Sequence, residues 1–460
     1  MPPKRTVSPP GSPSRASASS LRSPESQRLK LVPAPAVPDL EEQEADDEQE
    51  QLLGDSGASS PDTAGAGTVR SERGQIFRLA WPVAATFLLQ SSTQQMTIIF
   101  VGQLGALQLG AASMANMWIN ITGMSIIYGG MSAFDTLGSQ AYGARNYPLV
   151  GLLAQRCLAI CTLLCIPISL SWWFLTGPAL VLVGIEQDTA DLAAQFARVN
   201  ILCLWPTLAH NVLQRFLRSQ GVVRPVTLVM GICSVGFAPV AWWFVDRFGF
   251  IGAPLANAVL NWFLLIFISV LVLCKGYHKQ CWHGWSMGAF RSWGIILKLG
   301  TAGVMGNMGQ WWSWEIAAGM AGNLGEVPLA AHSVLQNVGF FMFPLTFGIS
   351  TATTVRVGTL LGAGRGALAK TTSRAALSVA GGLCVVIVSL LLALRNTYPR
   401  LYSKDERVIA VASSLTYVYA FYQTLTSLNF CLGGILNGCG RQQISANIGI
   451  VAWYIVGLPS

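Results

Sequence analysis

The chain contains few charged residues. Of its 460 residues, 11% are Asp, Glu, Lys or Arg and 52% are hydrophobic, and the mean hydropathy is +0.48. Soluble globular domains have about 25% charged residues. The composition therefore excludes an ordinary soluble domain and favours a membrane protein. The net charge of +8 does not indicate a nucleic-acid partner, because the basic residues are dispersed among short loops rather than gathered in one patch.

The sequence also lacks the common signatures of enzymes and metal sites. It has ten cysteines but no Cys-x-x-Cys pair, no phosphate-binding glycine loop and no Ser/His/Asp constellation, so we predict neither catalysis nor an organic cofactor. Cys157, Cys161 and Cys165 share a helix face, where small apolar packing is favoured over metal binding. His278, Cys281 and His283 fit no closed tetrahedral pattern, and we predict no metal site.

A secretory signal peptide is absent as well. Residues 1–72 are rich in Ser, Pro and Arg and then acidic, a composition that cannot bury enough apolar surface to fold. We predict a disordered cytoplasmic tail there. Glu48-Gln-Glu-Gln-Leu-Leu53 has the form of an acidic dileucine sorting signal. A vacuolar or lysosomal membrane and the plasma membrane both stay open as locations.

After Arg73 the chain becomes a series of apolar segments, each near the length of about 20 residues that a helix needs to cross the bilayer. This pattern predicts an all-α protein with multiple spans. The predicted spans are 76–100, 107–133, 150–175, 192–217, 223–245, 252–274, 293–321, 329–359, 372–395 and 408–437, with an eleventh from about 443. Lys and Arg favour the loops on the side of the N-terminus, which predicts a cytoplasmic N-terminus.

An internal repeat divides these spans into two lobes. Gly102-Gln-Leu-Gly105 recurs 220 residues later as Gly322-Asn-Leu-Gly325, and Arg145 recurs as Arg365. Six spans in the first copy give both copies the same orientation, which indicates parallel repeats. The predicted domains are a first lobe at 73–275, a cytoplasmic loop at 276–292 and a second lobe at 293–460. Because the second copy ends within its fifth helix, we expect a truncated lobe that needs about 35 to 60 further residues for activity.

One carboxylate lies near the middle of the seventh predicted span. Glu315 stands in the otherwise uncharged segment Gly306–Gly322. A charged acid at that depth costs about 2.5–3.5 kcal/mol on insertion scales, so it usually has a partner or a function. Two interpretations are open: a protonated acid that ties two helices together, or a carboxylate that binds a proton or cation in a water-filled cavity.

Several motifs together resemble the multidrug and toxic compound extrusion (MATE) family, in its eukaryotic branch. The resemblance covers about 73–460. It rests on Leu79-Ala-Trp-Pro82, Gly102-Gln-Leu-Gly105, Asp135-Thr-Leu-Gly-Ser-Gln-Ala-Tyr-Gly-Ala144, Arg215-Phe-Leu-Arg-Ser-Gln-Gly221, Trp311-Trp-Ser-Trp-Glu315 and Gly433-Gly-Ile-Leu-Asn-Gly-Cys-Gly440.

The resemblance implies two six-helix lobes facing a central cavity, with cation-coupled antiport of organic solutes. It implies that Glu315 is the coupling acid. Many members of the family carry a second acid in the tenth helix, where this chain has Thr426, and the repeat mate of Glu315 is the neutral Gln95.

Other side chains are candidates to line the cavity. Trp311 offers an aromatic wall to a cation or packs between helices. Asp135 lies near the cytoplasmic end of its span, where we expect a structural role, holding Arg145 or capping backbone amides. The neutral hydrogen-bonding candidates, which serve either a substrate or helix contacts, are Gln95, Asn307, Gln310, Gln336, Asn337 and Thr426.

The sequence thus predicts a proton-coupled antiporter, with sodium as another possible coupling ion, that exports organic cations or xenobiotics by alternating access. Its expected partners are a small organic solute and membrane lipid, and we expect a monomer. Three alternatives stay open. One is a lipid-linked precursor flippase of the same superfamily, which should have a cationic cavity. Another is an intramembrane enzyme, which should have a second catalytic group near Glu315. The third is a truncated chain that does not transport.

Overall fold

The computed structural model describes residues 68–403 and 405–457. The tail predicted for residues 1–67 lies outside this part of the chain. The described residues form helices joined by short loops, with no β-strand among them. The α-helices are α1 Val69–Gly102, α2 Ala106–Ile119, α3 Ser125–Gly130, α4 Ser132–Gly143, α5 Tyr147–Leu170, α6 Thr176–Leu182, α7 Gln187–Ser219, α8 Arg224–Phe248, α9 Gly252–Lys275, α10 Gly294–Asn323, α11 Glu326–Gly362, α12 Gly366–Leu394, α13 Pro399–Tyr402, α14 Glu406–Gly438 and α15 Gln442–Ile450.

Each predicted span coincides with a helix or a nearly continuous run of helices. Three π-helical turns, at Asn120–Met124, Ser171–Leu175 and Val451–Gly457, continue α2, α5 and α15. Six continuous helical runs in the described part have the length and composition of a membrane span, one of which contains both α8 and α9. The chain is therefore an integral membrane protein with multiple spans.

The first helix begins earlier than its apolar segment. Thr68 precedes it, and its side-chain oxygen accepts a hydrogen bond from the Ser71 amide, which satisfies one of the free donors of the first turn. Residues 69–72, which were predicted to belong to the tail, are thus helical. Glu72 is buried there because Arg356 and Thr372 bind its carboxylate.

Hydrogen bonds from side chains of α5 hold the loop between the lobes in place. The amide of Gln155 donates to the Gly284 carbonyl at 2.7 Å, and its oxygen accepts from the Ser286 amide at 3.0 Å. Arg156 donates to the Gly288 carbonyl. The backbone of Cys281 passes so close to Gly151 that a Cβ there would collide with the Cys281 carbonyl.

The two lobes repeat the same local backbone. Gly105 and Gly325 precede α2 and α11 with φ of 136° and 115°, and Gly221 and Gly440 follow α7 and α14 with φ of 77° and 76°. These conformations strongly favour glycine. Each pair is related by the repeat seen in the sequence, which confirms two parallel copies. The copies differ in the second span, which the π-helical turn at Asn120–Met124 interrupts in the first lobe, whereas α11 is continuous over 37 residues.

The lobes pack tightly at the end of the bundle where α1 begins and α11 ends, hereafter the closed end. Glu72 of α1 pairs with Arg356 of α11 at 2.9 Å and accepts from Thr372 of α12 at 2.8 Å. Further side chains bond to backbone across the lobes: Thr136 to Asn437, Gln140 to Gly438, and Gln442 to Ser132.

Glycines bring the backbones together at the closed end. A Cβ on Gly303 of α10 would collide with the Ser132 hydroxyl and the Gly129 carbonyl. On α11, a Cβ on Gly358 would collide with the Ser139 hydroxyl. This close approach between small residues is a common way to pack helices in membranes. Farther along α10 the packing opens: between Gly303 and Asn323, Ser313 alone is buried.

Candidate functional site

Glu315 lies on the open half of α10 and its side chain is exposed. It forms no ion pair or hydrogen bond with any described residue. Ser313, two residues before Glu315, is buried instead, and its hydroxyl donates a hydrogen bond to the Gln310 carbonyl. The acid is therefore accessible, and nothing in the described part of the chain holds it in one position.

The face of α10 that carries Glu315 is turned toward the first lobe. Residues four apart on a helix share a face, and Trp311 lies one turn before Glu315. The Trp311 ring approaches Tyr128 of α3, with 6.4 Å between the ring centroids. Glu315 thus lies on the same side of α10 as this contact between the lobes, one turn farther from the closed end. The acid is therefore exposed on a side of α10 that contacts the first lobe one turn earlier.

An aromatic cluster lies beside this face. It consists of Trp314, Phe343, Phe347, Phe430 and Phe87. Trp314 meets Phe343 edge-on at 5.9 Å, and Phe347 meets Phe87 of the first lobe edge-on at 4.7 Å. Such pairs stabilise packing beyond their buried area. The cluster therefore connects α10 to α11, α14 and α1.

Thr426 is buried on α14, close to the aromatic cluster. Tyr422 lies one turn before it, and its hydroxyl accepts a hydrogen bond of 3.1 Å from the Trp314 indole. Because Tyr422 and Thr426 share a helix face, that face of α14 is turned toward α10. The structure thus brings the position of the missing second acid near the helix of Glu315. No described carboxylate lies on that face of α14.

The remaining candidates are distributed over three helices. Gln310 and Asn307 are half-buried on α10 with Glu315, and Gln95 is half-buried on α1. The Gln310 amide nitrogen is buried without a hydrogen-bond partner among the described residues. On α11, Gln336 contacts His332 and Asn337 donates to the Ser333 carbonyl. Both of these contacts are local to α11, so they do not connect α11 to the acid.

Asp135 has different partners from those expected. It forms an ion pair with Arg215 of α7, and Arg218 lies 3.9 Å away. Arg145 is instead exposed, with φ of 61°. Arg215 and Tyr422, both important for these arrangements, were not among the predicted site residues. The one signal for Arg215 is its position near the end of a membrane helix, where a charge usually has a partner.

No metal-binding group of three or more His, Cys, Asp or Glu is present in the described residues. The His278 ring faces the Val272 carbonyl, and Cys281 is fully buried.

Two lobes of repeated membrane helices, with an unpaired acid on the first helix of the second lobe, are the arrangement expected of a membrane transporter. The MatE family model matches residues 82–243 and 303–460, once in each lobe. An uncharacterized transporter of Schizosaccharomyces pombe is 34% identical over 390 residues, which are 84% of this chain and 72% of the relative. Multidrug and toxin extrusion protein 1 of Danio rerio is 30% identical over 397 residues, 85% of this chain and 66% of the relative.

A solved structure shows the same architecture. The crystal structure of the eukaryotic MATE transporter AtDTX14 superposes with a TM-score of 0.80 and 25% identity, covering 85% of this chain and 88% of that one. The chain belongs to the MATE family. It is a secondary transporter rather than an enzyme.

Proposed function

We propose that this transporter exchanges protons for organic cations and that Glu315 is the exchange site. The observation that carries the proposal is the contrast among the acids in the described helices near the lobe contact. Glu72 and Asp135 are paired with arginines, whereas Glu315 is exposed and unpaired. A carboxylate without a fixed counter-charge is free to bind a proton or a cationic solute.

The mechanism follows from competition for one carboxylate. A proton neutralises Glu315, and an organic cation binds only its ionised form, so the two never occupy the site together. Protonation also removes the cost of burying the charge, which changes the relative free energy of open and closed lobes. Each pH unit across the membrane supplies about 1.4 kcal/mol per proton, equivalent to about a tenfold solute gradient at one-to-one exchange.

The aromatic side chains beside Glu315 suit a cationic solute. Trp311 lies on the same face of α10, and an indole face attracts cations. The name of the Danio rerio relative, multidrug and toxin extrusion protein, supports xenobiotic substrates. We further propose that the protein acts as a monomer surrounded by lipid, with no cofactor apart from the coupling ion.

The positive-inside rule gives the proposed orientation. It places the N-terminus, and with it the closed end, in the cytoplasm. The open half of α10, with Glu315, then faces the opposite side, which is the lumen of a vacuole or lysosome or the cell exterior. In this state the transporter releases a solute and takes up a proton.

Solute flux in sealed proteoliposomes tests the proposal. The full-length protein is purified and reconstituted, and uptake of a fluorescent organic cation is followed under an imposed pH gradient or an imposed sodium gradient of equal size. We expect uptake under the pH gradient that a protonophore abolishes. Uptake under the sodium gradient but not under the pH gradient would show that sodium, rather than the proton, is the coupling ion. Absence of uptake under both, in vesicles that translocate a lipid-linked precursor, would support a flippase and overturn the proposal.

A further inference from the structure

A cluster of charged side chains on α4 and α7 of the first lobe buries more positive than negative charge. The side chains of Arg215 and Arg218 on α7 are 8% and 9% exposed, and both guanidinium groups lie within ion-pair distance of Asp135. Asp135 is the one carboxylate among the described residues that pairs with either of them. Two buried guanidinium groups therefore share one carboxylate, and the cluster has an excess charge of one.

The two arginines also interact unequally with the Asp135 carboxylate. Arg215 forms the close contact with Asp135, and it also donates to the Met131 carbonyl. Arg218 is 3.9 Å from Asp135, too far for a hydrogen bond. Its Nε is buried and has no partner among the described residues. Arg218 is therefore the less neutralised of the two.

Arg218 lines a small cavity between α1, α7 and α8. Thr86 and Gln214 contribute polar groups to it, and Val83, Phe87, Val223 and Val226 contribute apolar ones. The Thr86 hydroxyl donates to the Pro82 carbonyl, and one amide hydrogen of Gln214 is directed to His210. Two donors remain available to a bound ligand: the second amide hydrogen of Gln214 and the guanidinium group of Arg218. No carboxylate of the described residues lines the cavity.

We propose that this cavity binds a small inorganic anion, such as chloride, which neutralises Arg218. An isolated buried charge is strongly unfavourable, and a counter-ion removes most of that cost. The cavity is small, about 10 Å³, which excludes organic anions. Phe87 lies in its wall and contacts Phe347 of the second lobe, so an occupied cavity stabilises the first lobe next to the interlobe contact.

Thermal stability in different anions tests this proposal without any transport assay. The purified protein is melted in sodium chloride or in sodium gluconate at equal ionic strength, with tryptophan fluorescence as the signal. A ligand that binds only the folded state raises Tm with the logarithm of its concentration. We expect Tm to be several degrees higher in chloride and to rise with chloride concentration. A Tm that is the same in both salts overturns the proposal and leaves water as the occupant.

Two variants locate the effect at the cluster. Arg218→Gln leaves a neutral Asp135–Arg215 pair, so we expect its Tm to lose the dependence on chloride. Arg247→Gln, which removes an exposed arginine on α8, should keep the full dependence. Retention of the chloride effect in Arg218→Gln overturns the proposal. If that variant does not fold, Asp135→Asn decides: its excess charge is two, so its chloride dependence should exceed that of the wild type, and an equal or smaller dependence overturns the proposal.

Discussion

Glu72 and Glu315 are two acids near the contact between the lobes that differ in burial and in hydrogen-bond partners. Glu72 is 2% exposed, and Arg356 and Thr372 occupy both of its carboxylate oxygens. Glu315 is exposed on the open half of α10 and has no charged partner among the described residues. An acid held by fixed donors is stabilised in its ionised form, whereas an acid without them changes its protonation state easily. The first arrangement suits a structural contact and the second a coupling site.

The largest effect is expected at the unpaired acid. Glu315→Gln keeps the size and the hydrogen-bonding capacity of the protonated side chain but cannot ionise. We expect complete loss of uptake driven by a pH gradient, with normal folding measured by gel filtration and Tm.

The matched control is Glu326→Gln, at an exposed acid in the first turn of α11. It should transport like the wild type. Unchanged pH-driven flux in Glu315→Gln would exclude this residue as the coupling site and remove the contrast between the two kinds of acid.

The second effect concerns the paired acid of the first lobe. Asp135→Asn leaves the buried guanidinium groups of Arg215 and Arg218 without their carboxylate. Removing one partner of a buried ion pair costs about 3–5 kcal/mol. We expect a large fall in Tm and yield, while the protein that does fold keeps pH-dependent transport. Normal Tm together with lost pH dependence would show that Asp135 takes part in coupling.

Hydropathy predicted where the helices lie but not which of their ends meet. Each span was visible because a membrane helix needs about 20 apolar residues, and the repeat was visible because Gly105 and Gly325 require the same backbone conformation. The partner of Asp135 was not visible. Arg145 is ten positions away in the sequence, yet the partner is Arg215, 80 positions away.

The candidate site shows the same limit. Glu315 stood out in the sequence because a lone acid in an apolar span is costly. Tyr422 gave no such signal, since a tyrosine in a membrane helix is common near interfaces and its bond to Trp314 depends on how α10 and α14 pack. Likewise Glu72 was assigned to the tail, because its burial depends on Arg356 from the other lobe.

The third effect is expected at the close packing of the helices at the closed end rather than at its acids. Gly303→Ala places a methyl group against the Ser132 hydroxyl and the Gly129 carbonyl. Overpacking of this kind typically costs about 1–3 kcal/mol. We expect a lower Tm and lobes that separate more readily at the closed end, measured as faster labelling of a cysteine introduced at Gln140. The labelling is done in a background in which exposed native cysteines are replaced.

Gly306→Ala is the control for that variant, one turn along α10. A Cβ there would lie 3.6 Å from the nearest atom, the Ala446 Cβ, which is an ordinary contact. It should leave Tm and labelling unchanged. Equal behaviour of the two variants would mean that the close approach of α10 and α3 does not limit the separation of the lobes.

The smallest effect is expected at an acid outside the membrane. Asp405 precedes α14, accepts from the Arg407 amide at 2.9 Å and pairs with the Arg407 side chain at 3.1 Å. The hydrogen bonds from the Arg407 side chain and amide lower the pKa of Asp405. An acid whose pKa is lower in the folded state contributes stability above its unfolded pKa of about 3.9, and this contribution disappears as the pH falls through the folded value. Asp405→Ala should therefore lower Tm slightly at pH 7, and by less as the pH falls toward 3, relative to Glu406→Ala, which changes the exposed neighbour in the first turn. A Tm difference that does not shrink between pH 7 and pH 3 would show that Asp405 acts through something other than its charge.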